Sequence, residues 1–302
     1  MSTSRPHSPP ERQRLDALDR RGAGMAIRLL AGPLDLPSVD ALADAVVRIA
    51  ALGPLARVGL GLEPDGRHWR YWGGTAEAGG HAHRLVQRAD VDPGGLADWL
   101  DAHPEPSLPL RFVVSGDHLA MQVDHRLGDG MLAATAAAGV LSAAREGGVP
   151  AAFTGPLTAR PLREAIAATF GRDPDAWSRV WRDRVQSPPV GGGRPVPRTG
   201  GAGVWTTLAQ TVSDQDLARL RKWTRGRAPF AVGLAVLAAR ALAAAGVEVG
   251  QTGTLVTDLR RYLPAGVATL QNFVTGVPVD FAAPAPDAGA LAERLARQLA
   301  VG

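Results

Sequence analysis

An alternating apolar pattern between residues 110 and 123 constrains the fold of this chain more than any other feature. Every second residue is apolar from 110 to 114 and again from 119 to 123, and a Ser-Gly-Asp sequence between them favours a turn. Alternation of this kind is typical of paired strands that bury one face. The pattern predicts a β-hairpin. His125 continues its apolar series, and Asp124 points to the opposite face.

A short loop and a helix follow this hairpin. The loop carries Asp129 and Gly130, residues 131–145 are rich in alanine, and a glycine pair follows at 147–148. Alanine favours a helix by intrinsic propensity, and glycine commonly ends one. The layout places the imidazole of His125 at the end of a rigid strand, close to a helix N-terminus. We therefore interpret His125 as the first candidate for a catalytic group.

Weaker patterns predict the remaining elements. Strands are predicted at 25–31, 54–62, 68–72, 81–91, 204–212, 247–257 and 273–281. Helices are predicted at 38–50, 93–100, 162–184, 213–223, 229–245 and 288–299. Ser213 is the expected N-cap of the helix at 213–223, with Asp216 completing a pattern like a capping box. The helix at 229–245 is almost entirely apolar, but Arg240 interrupts it and leaves too short a run for a membrane span. We expect a buried core helix there.

The mixed order of strands and helices is typical of an α/β protein with two layered halves. We expect residues 1–14 to form a disordered tail and residues 15–186 to form an N-terminal half that carries His125. Residues 187–203, rich in proline and glycine, are the expected linker, and residues 204–302 the C-terminal half. The start of the chain lacks the apolar segment of a secretory signal.

Composition argues against several functional classes. The chain has no cysteine, which excludes disulfides, thiolate metal ligands and cysteine nucleophiles, and favours a cytoplasmic location. Its net charge of +4 comes from dispersed arginines, with Lys222 the only lysine. The basic-aromatic segments 67–72 and 260–262 are better interpreted as amphipathic strands or turns than as base-stacking platforms. We therefore expect no nucleic-acid partner.

Two short patterns are weak by themselves. His81 and His83 would share one face of a strand, but no third ligand is evident, so we expect no metal site. The pattern His-x-x-x-Asp-Gly at 125–130 arises by chance in about one shuffled chain of this composition in twenty. Its position, between a well-patterned strand and a helix, adds weight to it.

Residues 124–130 (Asp-His-Arg-Leu-Gly-Asp-Gly) resemble the HHxxxDG motif of condensation domains and chloramphenicol acetyltransferase-like enzymes. That superfamily includes wax ester synthases, plant-type alcohol acyltransferases and polyketide-associated acyltransferases. Residues 54–57 (Pro-Leu-Ala-Arg) resemble its hPxLR segment, and residues 257–264 with 270–273 resemble its xDLRxxL and GNF segments. The three matches occur in the family's order and at similar spacing, over most of residues 15–300.

The resemblance implies an α/β fold of two chloramphenicol acetyltransferase-like halves, with mixed sheets, flanking helices and a tunnel between the halves. It implies transfer of an acyl group from a thioester of coenzyme A or of carrier-protein phosphopantetheine to a hydroxyl or amine. The thioester is a co-substrate, and no bound cofactor is implied. Implied partners are a small-molecule or lipid acceptor and an acyl carrier protein, with peripheral membrane contact as a further option.

His125 matches the position of the family's catalytic base. An imidazole with an ordinary pKa of about 6.5 can take a proton from an attacking hydroxyl or amine near neutral pH. The chain has no cysteine and no serine in a G-x-S-x-G turn. Direct transfer is therefore favoured over a covalent acyl-enzyme.

The resemblance also implies supporting residues. The motif aspartate, here Asp129, is expected to pair with an arginine, with Arg57 as the first choice and Arg260 as the second. Gly130 would let the backbone approach the tetrahedral oxyanion. Asn272, in the GNF-like segment, is a further supporting residue.

The chain departs from the family in two ways. Asp124 replaces the first histidine of the motif, and no DFGWG-like segment occurs in the 302 residues. We therefore expect a C-terminal half that is shorter than the family's and incomplete. An alternative function is that of a catalytically inactive, condensation-like binding or docking protein.

Overall fold

The computed structural model describes residues 12–171, 173–186, 212–226, 228–246, 252–280 and 289–293. Its strands are β1 (Arg12–Arg14), β2 (Ala26–Ala31), β3 (Leu60–Leu62), β4 (His68–Tyr71), β5 (Val86–Arg88), β6 (Leu110–Ser115), β7 (His118–Asp124), β8 (Thr252–Asp258) and β9 (Val274–Asp280). Its helices are α1 (Ala17–Arg21), α2 (Val39–Ala50), α3 (Ala78–Leu85), α4 (Leu96–Ala102), α5 (Gly130–Glu146), α6 (Ala151–Thr154), α7 (Pro161–Phe170), α8 (Pro174–Gln186), α9 (Asp214–Thr224) and α10 (Phe230–Ala244). Residues 289–293 are also helical.

A four-stranded mixed sheet carries the predicted hairpin, which is confirmed. Strands β6 and β7 pair antiparallel, with Phe112 opposite Met121. Strand β2 pairs antiparallel with β7, and β5 pairs parallel with β6, so the order is β2-β7-β6-β5. The sheet therefore brings residue 25, just before β2, next to the end of β7.

Apolar side chains cover both faces of this sheet. Phe112, Met121 and Val123 are buried in a cluster that also contains the inner faces of α2 and α5. On the other face, Leu100 of α4 packs with Ala120. Each large apolar side chain that is fully buried stabilises the fold by about 1.5–3 kcal/mol. The strand that leads to His125 is therefore rigidly held.

A second sheet, of order β1-β4-β3, corrects two expectations. Residues 12–14, which the sequence assigned to a disordered tail, form β1, because they pair with β4 and Arg12 bonds to Asp65 at 2.8 Å. The strand expected at 54–62 is confined to β3. A short 3₁₀ turn occupies Pro54–Ala56, and Arg57 follows with a positive φ of 65°.

Helix α3 replaces the first five residues of the strand expected at 81–91, of which only β5 is extended. Its buried residues Ala78, Ala82 and Leu85 are spaced four and three apart, which is the period of one helix face. His81 and His83 are two residues apart on this helix and therefore point in different directions.

The chain divides into two compact units. The first comprises Met1–Ala168 and Leu259–Val274, and the second comprises Thr169–Asp258 and Thr275–Gly302. The segment 259–274 thus belongs to the first unit, although β8 and β9 on either side of it pair with each other. The predicted linker at 187–203 lies outside the described residues, as does nearly all of the strand predicted at 204–212.

The second unit is described by itself. Ser213 caps α9 as predicted, since its Oγ accepts a hydrogen bond from the backbone of Asp216 at 3.1 Å. Helix α10 buries Val232 and Val236 but exposes Leu242. The expectation of a buried core helix is therefore corrected, because only one stripe of α10 is covered. None of the described helices is long and apolar enough to cross a lipid bilayer.

Candidate active site

His125 is the first residue after β7, where the strand gives way to a loop. Its backbone N–H donates to the carbonyl of Met25 at 2.9 Å. Gly22 allows the end of α1 to pass against the carbonyl of His125, because a Cβ at Gly22 would collide with it. Gly128 serves the same purpose farther along, since a Cβ there would lie 2.7 Å from the carbonyl oxygen of Leu270. Two distant segments therefore enclose the loop.

Asp129 ends this loop and caps α5. Its Oδ1 accepts from the backbone of Met131 at 3.0 Å and from Nη2 of Arg260 at 3.2 Å. Its Oδ2 accepts from Nη1 of Arg260 at 2.9 Å and from the backbone of Phe273 at 3.0 Å. The two charged side chains are only 4% and 16% exposed, so these charge-assisted bonds form in a largely dry environment. Arg260, the second choice from the sequence, is the partner of Asp129.

Arg57, the first choice as that partner, pairs with Asp19 instead, which corrects the expectation. Its Nη2 donates to Oδ1 of Asp19 at 2.7 Å and to the carbonyl of Arg126 at 3.2 Å, and its Nε donates to the carbonyl of Leu127. The Arg57 and Asp19 side chains are both buried. The side chain of Arg57 therefore binds backbone carbonyls of the loop, whereas the side chain of Arg260 binds the carboxylate of Asp129.

Asp19 is a buried carboxylate that the sequence did not single out. It accepts from Arg57 and, at 2.7 Å, from the indole N–H of Trp69. Burial raises the pKa of Asp19 above that of an ordinary carboxyl, and the charge of Arg57 and the indole hydrogen bond offset only part of this rise. These partners lie 38 and 50 residues away along the chain, so no local pattern could have signalled the cluster.

Asn272 places its side-chain amide against His125. Its Nδ2 lies 3.0 Å from Nδ1 of the imidazole and 3.4 Å from the carbonyl oxygen of the same residue. Asn272 is 7% exposed and the adjacent Phe273 is fully buried. Two residues chosen from separate sequence motifs are therefore in direct contact.

Arg260 also fixes the segment that carries Asn272. Its Nε donates to the carbonyl of Thr269, and its Nη2 donates to the carbonyl of Gln271, both at 2.9 Å. The same guanidinium binds Asp129. One arginine thus positions the aspartate that ends the loop and the segment that contacts the imidazole at its start.

The other ring nitrogen of His125, Nε2, has no hydrogen-bond partner among the residues that the structure describes. The imidazole is half-buried, so Nε2 is accessible to a ligand. Gly130 is exposed at the start of α5, and a Cβ there would meet nothing within 4 Å. The backbone of Gly130 is therefore open to an approaching group. Its expected contact with an oxyanion stays a prediction.

Asp124, which replaces the first histidine of the motif, forms an ion pair with Arg126 at 2.5 Å. The hydrogen bonds that Arg126 donates to the Asp124 carboxylate raise the pKa of Arg126. Both side chains line a cavity of about 620 Å³, together with Glu63 and Gln122. His125 itself does not line this cavity.

Within the described parts of the chain, no three histidine, cysteine or acidic side chains come together in a way that could hold a metal ion.

Solved structures resemble the chain, although no protein-family model and no curated protein match it significantly. The condensation domain from Monacolin K polyketide synthase MokA matches with a TM-score of 0.56 and 15% identity, over 96% of this chain and 73% of that one. The first condensation domain of the CDA synthetase matches with a TM-score of 0.54 and 19% identity, over 96% and 75%.

Polyketide synthase associated protein 5 from Mycobacterium tuberculosis matches with a TM-score of 0.51 and 17% identity, over 95% of this chain and 72% of that one. Identities this low establish a common fold rather than a common activity. The mixed sheets with flanking helices, the three matched segments and these structural neighbours agree with one another. The chain therefore has the condensation-domain-like α/β fold that its sequence predicted.

Proposed function

We propose that the chain is an acyltransferase, which moves an acyl group from a thioester to a hydroxyl or amine with His125 at the reaction centre. One observation carries this proposal. The imidazole of the HxxxDG-like motif contacts Asn272 of the GNF-like segment at 3.0 Å, and Asp129 of the same motif binds Arg260 of the DLR-like segment at 2.9 Å. Motifs that resemble an acyltransferase family separately are thus joined in one site.

The proposed donor is a thioester of coenzyme A or of carrier-protein phosphopantetheine. The motif resemblance implies such donors, and the structural neighbours include condensation domains of synthases. An acyl carrier protein is accordingly a proposed partner. The thioester enters as a co-substrate, so the reaction needs no resident cofactor.

The proposed reaction is a direct displacement. The acceptor oxygen or nitrogen attacks the thioester carbonyl carbon, the C–S bond breaks, and the thiol leaves. In the mechanism expected from the sequence, His125 takes the acceptor's proton as a general base. Its reacting nitrogen would be Nε2, because Nδ1 faces Asn272. The backbone N–H of Gly130, at the electropositive start of α5, would stabilise the oxyanion.

The test is a His125→Ala variant. We expect it to fold as the wild type does and to lose acyl transfer, by at least about 100-fold if the imidazole acts on a proton in the transition state. The measurement is mass spectrometry of products after incubation with a mixture of acyl-coenzyme A donors and candidate acceptors. His83→Ala, an exposed histidine on α3, is the matched control and should transfer at the wild-type rate. Wild-type transfer by His125→Ala would refute the proposal.

A second candidate is a docking protein of the same fold that binds thioesters without reacting. The observation that favours it is Asp124, which replaces a motif histidine and is neutralised by Arg126. This alternative predicts that acyl-thioesters bind the wild type and His125→Ala equally, and that no acceptor is acylated by either. Binding measured by calorimetry beside the product assay separates the two candidates.

A further inference from the structure

The turn that carries His125 begins at Asp124. The carbonyl oxygen of Asp124 accepts from the backbone N–H of Leu127 at 2.8 Å, so residues 124–127 form a four-residue turn. His125 is the second residue of this turn. The carboxylate of Asp124 closes the turn again, because its Oδ1 accepts from the backbone N–H of Arg126 at 2.9 Å. Aspartate is favoured at the first position of such turns for this reason.

The turn depends on this side chain for one of its backbone bonds. The other backbone groups of the turn have partners elsewhere in the chain: Asp124 N–H with Pro109, His125 N–H with Met25, His125 C=O with Asn272, and the carbonyls of Arg126 and Leu127 with Arg57. Among the described residues, the N–H of Arg126 has the carboxylate of Asp124 as its acceptor. Removing that carboxylate therefore leaves a backbone donor of the turn unpaired.

His125 lies between the two residues that this side-chain bond joins. A bond from residue 124 to residue 126 fixes the backbone on both sides of His125, and hence the direction in which the imidazole leaves the turn. The direction matters, since Nδ1 lies 3.0 Å from the amide of Asn272, and a displacement of about 1 Å in a catalytic group can reduce a rate about 100-fold. The carboxylate of Asp124 therefore acts on the imidazole through the backbone of the turn.

The guanidinium of Arg126 is a second partner of the same carboxylate. Its Nε lies 2.9 Å from Oδ1 and 3.1 Å from Oδ2, and its Nη2 lies 2.5 Å from Oδ2. This ion pair requires a negative charge at position 124 and the side chain of Arg126. The turn bond requires only an oxygen acceptor at position 124 and the backbone of residue 126. The two contacts can therefore be removed one at a time.

An aspartate closes this turn more simply than the histidine that the motif has at the same position. A carboxylate can only accept, whereas Nδ1 of an imidazole accepts in one neutral tautomer and donates in the other. Asp124 therefore offers the N–H of Arg126 an acceptor at neutral pH without the choice of tautomer that a histidine would impose.

We infer that Asp124 is a positioning residue for His125, and that it acts through the hydrogen bond to the N–H of Arg126 and not through its charge. This inference rests on the acyl transfer proposed above and deepens it. The aspartate at the first position of the motif is then compatible with catalysis, whereas the docking alternative treats it as a loss.

Three variants separate the turn bond from the ion pair. Asp124→Asn keeps an oxygen acceptor of the same size and removes the charge, and Asp124→Leu keeps the size and removes the acceptor. Arg126→Met removes the guanidinium and keeps the backbone N–H. If the inference is correct, Asp124→Leu is the one variant of the three that displaces the imidazole.

The first measurement needs no substrate. Nuclear Overhauser contacts between the His125 ring and the side-chain amide of Asn272 report the position of the imidazole in the full chain, and His125→Gln identifies the ring signals. We expect these contacts in the wild type, Asp124→Asn and Arg126→Met, and their loss in Asp124→Leu. The signals of the other six histidines should stay in place in all variants, which shows that the fold is retained. Wild-type contacts in Asp124→Leu overturn the inference.

The second measurement is kinetic, with the octanoyl thioester of pantetheine as donor and octylamine and octanol as acceptors. We expect Asp124→Leu to lower kcat at least about tenfold with an unchanged KM for the thioester, because a displaced base affects the transition state and not substrate binding. Asp124→Asn and Arg126→Met should stay within about threefold of the wild type. An equal loss in Arg126→Met and Asp124→Leu would assign the effect to the ion pair and overturn the inference.

The two measurements also distinguish this inference from the proposed function. If the ring contacts change as expected while the wild type acylates neither acceptor, the positioning of His125 by Asp124 is supported and the acyl transfer is contradicted. If the wild type transfers the acyl group and Asp124→Leu does so at the same rate, the acyl transfer is supported and the positioning role of Asp124 is contradicted.

Discussion

The turn at 54–57 and the segment 259–273 each send one arginine to the loop after β7, but the two arginines bind different parts of it. Arg57 binds backbone carbonyls of the loop, and Asp19 neutralises its charge. Arg260 binds the carboxylate of Asp129. Contacts to backbone are insensitive to the loop's sequence, whereas contacts to a carboxylate require that side chain. From this difference we expect Arg57 to serve mainly the fold and Arg260 mainly the candidate site.

Asp19→Ala should have the largest effect on stability. It leaves the guanidinium of Arg57 buried without its carboxylate, which costs about 3–5 kcal/mol of the free energy of unfolding. Urea unfolding followed by circular dichroism measures the loss. Asp19→Asn, which keeps a hydrogen-bond acceptor, should lose less. A loss below about 1 kcal/mol for Asp19→Ala would mean that Arg57 is not held as described.

Arg260→Lys should affect activity more than stability. A lysine cannot reproduce the fork that binds Asp129 together with the carbonyls of Thr269 and Gln271. We expect acyl transfer to fall about 100-fold, because displacing Asn272 and the loop by about 1 Å is sufficient for such a loss. Arg261→Lys is the control, since its exposed guanidinium lies over the Tyr262 ring. Equal rates of acyl transfer for Arg260→Lys and Arg261→Lys would show that the contacts of Arg260 do not matter for activity.

A pair of glycine substitutions tests how tightly the two segments enclose the loop. Gly128→Ala sets a methyl group 2.7 Å from the carbonyl of Leu270 and against the side chain of Leu132, so we expect a loss of about 1–3 kcal/mol in unfolding free energy. Gly130→Ala meets open space at the start of α5 and should be neutral or slightly stabilising. Thermal denaturation of both variants checks that Gly128→Ala is the less stable of the two. If Gly130→Ala were the less stable variant, Leu270 would not approach Gly128 closely.

The sequence predicted the elements whose signals are local. The hairpin, α5 and the Ser213 cap follow from alternation, alanine content and capping chemistry within a few residues. The strand expected at 81–91 failed because a short apolar run fits a strand or a helix until its neighbours are known. The helix α3 is favoured because it buries Ala82 and Leu85 in the core.

The sequence identified the two arginines but could not predict which aspartate each one pairs with. Both Arg57 and Arg260 lie in motif-like segments, and nothing in either segment encodes its partner. The pairing depends on Asp19, a long-range partner that takes up the charge of Arg57 and leaves Asp129 to Arg260. His125 and Asn272 were both named from the sequence, but their direct contact required coordinates.

The place of the segment 259–274 in the first unit has a consequence for biosynthesis. Arg260 and Asn272 follow their partners Asp129 and His125 by 131 and 147 residues. While the ribosome is still making the second unit, β2, β5, β6 and β7 can already pair and pack on α2 and α5. Throughout that interval, Asp129 lacks the guanidinium of Arg260 and His125 lacks the amide of Asn272. A nascent chain that ends before residue 259 would therefore have a folded core and an unfinished site.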